Sequence, residues 1–128
     1  MTPSLLTRRP LVRDTLAIAA AGLPLIGRAQ ADWPARPIRI LIGTPPGDSS
    51  DASARQIAQR LAVILGQPVF VENKPGAHGF IVGDLAKSAP KDGYTLLLSS
   101  GGQMAINPSL YKKMPYDPVK DFAPLVQI

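Results

Sequence analysis

The chain has 128 residues, 45% of them hydrophobic, with 14 Lys+Arg against nine Asp+Glu. That size suits one small globular domain, and the lack of any cysteine rules out disulfides and thiolate metal sites. The formal charge of +5 is unevenly spread: residues 1–31 hold Arg8, Arg9, Arg13 and Arg28 against Asp14, and no basic stripe with interleaved aromatics remains to bind nucleic acid.

The first 31 residues read as an address. Arg8-Arg9 precede the apolar run Leu11–Ile26, which breaks at Gly22 and Pro24, and Ala29-Gln30-Ala31 has the small-x-small form of a cleavage site. This is the pattern of a secretory signal peptide, too short and broken to be a transmembrane span. The stretch Thr7–Val12 loosely matches a twin-arginine signal, with general secretion as the alternative. The mature chain is then expected to start at Asp32 and to work in the periplasm, as one unit over 32–128.

Asp32–Pro37 is a proline-containing lead-in. Ile38, Ile40, Leu41 and Ile42 form a β-branched apolar run, which predicts a buried strand over about 36–43. Gly43–Gly47 cannot continue it, because two prolines lack donors and two glycines loosen the backbone. Ser49, Ser50 and Asp51 offer capping oxygens for a helix over about 50–65, with Ala54, Ile57, Ala58, Leu61, Ile64 and Leu65 on one face. Gly66 and Pro68 stop it. Val69-Phe70-Val71 is a second strand, followed by a turn over 72–76 and a weaker helix near 80–88. Tyr94–Ser99 is a third strand, with Leu96–Leu98 expected to be buried on both faces. Ser99–Gln103 reads as a flexible loop, Asn107-Pro108 as the start of a helical turn, and Phe122–Ile128 as the opening of a fourth strand.

Alternation of strand and helix argues for an α/β unit with a parallel sheet, whose ligands sit beyond the carboxyl ends of the strands. Three loops leave such ends: 43–50, 73–79 and 99–107. The first could hold a carboxylate on backbone N–H groups or be a plain capped turn. It carries neither a dinucleotide fingerprint nor a phosphate loop. His78, the single histidine, lies among glycines as a candidate ligand contact, but alone it makes a poor metal site. Ser49, Ser50, Ser99 and Ser100 offer hydroxyls with no general base beside them. No catalytic residue, metal or cofactor is expected.

Asp92-Gly93-Tyr94-Thr95 and Ala105-Ile106-Asn107-Pro108-Ser109-Leu110-Tyr111 bring in a resemblance. With them go Pro45-Pro46-Gly47 followed by Asp51 and Ala54-Arg55, then Leu65–Val69, Val71–Ala77 and Met114–Pro124. In this order they resemble the Bug-type substrate-binding receptors of tripartite tricarboxylate transporters. The resemblance covers nearly all of the mature chain but about the first third of a typical family member. It implies a type II periplasmic-binding-protein clamshell, of which the first part of lobe 1 is present. The function implied is capture of a small carboxylate or related compound for delivery to membrane permease subunits. The alternative is a truncated remnant or interaction module with no ligand binding of its own.

Carried over by the resemblance, Pro46, Gly47 and Ser50 in the first loop and Ser99, Ser100 and Ala105 in the third contact the ligand, with Gly76-Ala77 near the same cleft. Three departures stand out. Gly43-Thr44 replace the family's Pro-aromatic pair, Asp48-Ser49 replace two glycines, and His78-Gly79-Phe80 replace Gly-Gly-Asn. A second carboxylate about 4 Å from a bound one would cost on the order of 4 kcal/mol at an effective dielectric of 20. Asp48 is therefore expected either to face solvent or to favour a ligand bearing an amine or amide.

Overall fold

The computed structural model describes residues 33–128; the expected signal peptide over 1–31 lies outside the described residues. Three strands, β1 (Ile38–Ile42), β2 (Val69–Asn73) and β3 (Thr95–Leu98), alternate with α1 (Ser49–Leu65) and α2 (Phe80–Ser88). A short helix α3 (Asn107–Leu110) follows a π turn over Gly102–Ile106. All pairing is parallel, in the order β2-β1-β3. The helices match their expected positions closely, and the α/β reading holds.

Register and pattern explain the core. Ile40 sits between Val71 on β2 and Leu96 on β3. On that face Ile40 and Ile42 pack with Ala54 and Ala58 of α1, flanked by Ile57, Leu61, Val69, Val71 and Leu98. Alanine at the two innermost helix positions lets α1 approach the sheet closely. Leu41, pointing to the other face by strand alternation, is fully buried, as is Val82 of α2. Burying each such aliphatic side chain contributes about 1.5–3 kcal/mol. Because β2 and β3 flank β1 on opposite sides, right-handed crossovers place α1 and α2 on opposite faces of the sheet.

Several local expectations change. The cap of α1 is Asp48, whose Oδ1 accepts the Ser50 N–H at 3.0 Å; a carboxylate at this position satisfies an orphan donor and favours the helix dipole better than the serines that follow. Replacing Asp48 with alanine is expected to cost about 1 kcal/mol of stability, measurable by urea denaturation. Ile64 is exposed rather than part of the α1 core face, because α1 overruns the narrow sheet. Glu72 and Asn73 extend β2 instead of turning. Leu96–Leu98 are half-buried, since β3 is an edge strand. Residues 122–128 form no strand: they have no ladder partner, and Pro124 lacks a donor. The 99–103 loop is partly wound into helix, with Met104 N–H donating to the Ser100 carbonyl at 3.2 Å.

Candidate functional site

In a parallel sheet of order β2-β1-β3, the chain leaves β1 towards β2 while β3 lies on the other side of β1, and a crevice opens between the carboxyl ends of β1 and β3. A cleft of about 300 Å³ lies there. Gly43 supplies the β1 wall; Gly76, His78 and Gly79 supply the wall after β2; Ser100, Gly102, Gln103 and Asn107 supply the wall after β3. The three loops picked out by topology thus meet. None of these lining residues is Asp, Glu, Lys or Arg, so the cleft offers hydroxyl, amide, imidazole and backbone groups.

The loop after β2 is held against its own preference. Ala77 and His78 have φ of 46° and 55°, left-handed values that cost roughly 1–2 kcal/mol per non-glycine residue. Two bonds hold it. Gly79 N–H donates to the Gly76 carbonyl at 3.0 Å, and the Asn107 amide donates to the His78 carbonyl at 2.9 Å. Asn107 thereby ties the second wall to the third, and the His78 ring lies 5.9 Å from that of Tyr111.

The first wall is braced by Asp51, which is buried at the start of α1. Its carboxylate accepts from Arg55 Nε, the Gly47 N–H and the Asn73 amide, each at 2.9 Å. The Asn73 amide also donates to the Thr44 carbonyl at 3.0 Å. The Arg55 guanidinium, with the Gly47 and Asn73 donors, holds the Asp51 carboxyl well below the usual carboxylate range despite its burial. One side chain thus joins the loop after β1 to the carboxyl end of β2. The third wall is anchored by Tyr116, whose hydroxyl donates to the Gln103 carbonyl at 3.1 Å; burial pushes that phenol's pKa up and keeps it a neutral donor.

Of the residues singled out from the sequence, Gly76, His78 and Ser100 line the cleft. Pro46, Gly47 and Asp48 are exposed on the far part of the first loop, and Ser49, exposed, and Ser50, half-buried, lie in the first turn of α1. None of these five lines the cleft, nor do Ala77, Ser99 or Ala105. Gly43, Gly79, Gly102, Gln103 and Asn107 were missed. Gly43 and Asn107 had signals, as a strand terminator and a helix-turn start; Gln103 had none.

A second hollow, of about 350 Å³, opens beside Arg36, Arg39, Phe70 and Tyr94, at the amino ends of β1 and β3. Its charges are spent on one another: Arg36 pairs with Asp92 at 2.7 Å and stacks 3.9 Å over the Tyr94 ring, while Arg39 bonds Thr95 and faces Glu72. Among the described residues no helix is long and apolar enough to cross a membrane.

Residues 53–128 match the family model described as tripartite tricarboxylate transporter family receptor. BugT of Bordetella pertussis is 42% identical over 112 residues, which are 87% of this chain and 34% of that protein. MatC from Rhodopseudomonas palustris, solved with bound malate, is 34% identical with a TM-score of 0.68, over 71% of this chain and 31% of that one. A second R. palustris protein, solved with adipate, is 36% identical with a TM-score of 0.65, over 68% and 29%. The chain spans about a third of the length of the curated relatives it matches.

Proposed function

Since the chain belongs to the tripartite tricarboxylate transporter receptor family, we propose that it contributes the first-lobe wall of a periplasmic receptor's ligand cleft. That receptor captures a small carboxylate and passes it to the permease subunits of a tripartite transporter. Export by the N-terminal signal, with cleavage before Asp32, belongs to the same reading. The observation that carries it is the cleft at the β1/β3 switch point, lined from three loops by hydrogen-bonding groups with no Asp, Glu, Lys or Arg among them. Backbone N–H groups and amides can hold a carboxylate by charge-assisted bonds worth roughly 1.5–3 kcal/mol each. They do so without burying a fixed cation. Malate and adipate, held by two relatives, support short dicarboxylates as the ligand class.

Within this reading His78 and Ser100 contact the ligand directly, and Gly76 allows its close approach. Pro46, Gly47, Ser49, Ser50, Ala77, Ser99 and Ala105 form the outer rim. Asp48, already committed to its cap, serves the helix rather than the ligand.

Isothermal titration calorimetry of the protein as its gene encodes it, against malate, succinate, adipate and their diamides, tests the proposal. Saturable heats for at least one diacid, with its diamide at least about tenfold weaker, are expected. Equal affinity for diacid and diamide, or no binding of any diacid, would refute it.

A further inference from the structure

We propose that Gln103 reads the ligand's charge in this cleft, donating from its side-chain Nε2 to a carboxylate oxygen. The inference rests on the carboxylate reading above and assigns it a specificity-determining residue.

The Gln103 side chain lies in a slot that exists only because two residues lack a Cβ. A Cβ added at Gly43 or at Gly79 would fall well inside van der Waals contact with Gln103 Nε2. These glycines belong to the walls after β1 and β2, so the amide reaches from the third wall across to both others. It is also oriented. Oε1 accepts the Ser100 N–H at 3.3 Å, and only the oxygen end of an amide can accept. That contact turns the NH₂ end away from Ser100, and Nε2 meets no acceptor among the described residues. The main chain beneath it is fixed, with Gln103 N–H donating to the Ser100 carbonyl at 3.1 Å and its carbonyl taking the Tyr116 hydroxyl.

A positioned, unspent donor in a cleft lined by no Asp, Glu, Lys or Arg gives an anionic oxygen a charge-assisted hydrogen-bond partner. It also makes selectivity simple to invert. Glutamate at 103 keeps the shape and the acceptor for Ser100 N–H, but presents a carboxylate where the donor stood. Such a site repels a ligand carboxylate and can accept from a ligand amide.

The test compares the wild-type protein, as its gene encodes it, with Gln103→Glu. Calorimetry at neutral pH uses succinate, adipate and their monoamides. Gln103→Glu should weaken the diacids by about tenfold to a hundredfold and change the monoamides by less than about threefold, shifting preference towards the amide. Equal weakening of acids and amides, or no change in either, overturns the proposal while leaving the carboxylate reading intact. A wild type that binds no diacid overturns both.

A second pair of variants covers the chance that Gln103→Glu does not fold. Gly43→Ala should expel the amide from its slot. It should therefore weaken diacids by about tenfold in the wild type and by little in a Gln103→Ala background. The contact that the new Cβ makes with Val82 Cγ1, at 2.9 Å, is common to both backgrounds and cancels. Additive effects of the two substitutions would refute the slot.

Discussion

Gly83→Ala is expected to destabilise the protein by about 2–3 kcal/mol, against the sign that helix propensity gives. Gly83 lies inside α2, where alanine normally gains about 1 kcal/mol over glycine. Here a Cβ would enter the Tyr116 ring, reaching within 2.9 Å of Cζ and closer to two other ring carbons. That ring cannot swing aside. It is 4% exposed, meets Phe122 edge-on at 5.5 Å, and its hydroxyl is bound to the Gln103 carbonyl. Overpacking at Gly83 therefore reaches the cleft through Tyr116, and ligand affinity should fall with stability. Chemical denaturation gives the cost, and a Tyr116→Ala background should remove most of it. A stabilised Gly83→Ala protein would show that α2 and Tyr116 do not pack this way.

Asp51→Ala should lower Tm by roughly 10 °C and weaken diacid binding by about tenfold. The substitution strands three donors from three segments: Gly47 N–H, the Asn73 amide and Arg55. Arg55 is half exposed and can turn to water; the half-buried Asn73 amide at the end of β2 is less free to do so. The carboxyl's depressed pKa sets the sign of the pH dependence. A group whose folded pKa lies below its unfolded one stabilises fully above the ordinary carboxylate range, and that contribution is lost as pH falls towards the folded value. The gap in Tm between wild type and Asp51→Asn should thus be full at pH 7 and narrow below about pH 4. A gap independent of pH would contradict the network.

The elements were legible because local pattern and tertiary structure agree. Ile38–Ile42 is apolar at the expected strand, Gly66 ends α1 in a left-handed conformation, and Phe80–Ser88 forms the expected helix. Parallel pairing followed from alternation, and with it the end of the sheet where a ligand would sit; the strand order β2-β1-β3 did not. Side-chain assignments within the loops were less accessible. The sequence points to Ser49, Ser50 and Asp51 as the capping oxygens, and only the structure shows Asp48 taking the cap. Asp51 looked like one more cap candidate, because its partners Gly47, Arg55 and Asn73 converge only in three dimensions. Gln103 carries no motif; what distinguishes it is the missing Cβ at Gly43 and Gly79, positions 60 and 24 residues away in sequence. The resemblance identified the family, and in the structure Gly43, rather than the far part of the first loop, lines the cleft.

The account turns on one place, the cleft at the β1/β3 switch point. Titrating the isotope-labelled protein with the tightest-binding diacid, while following backbone amide resonances, tests it most directly. Shifts concentrated at Gly43, Gly76–Gly79 and Ser100–Asn107, saturating with the calorimetric affinity, are the predicted result. Saturable shifts centred instead on Arg36, Arg39 and Tyr94, at the opposite end of the sheet, would contradict it.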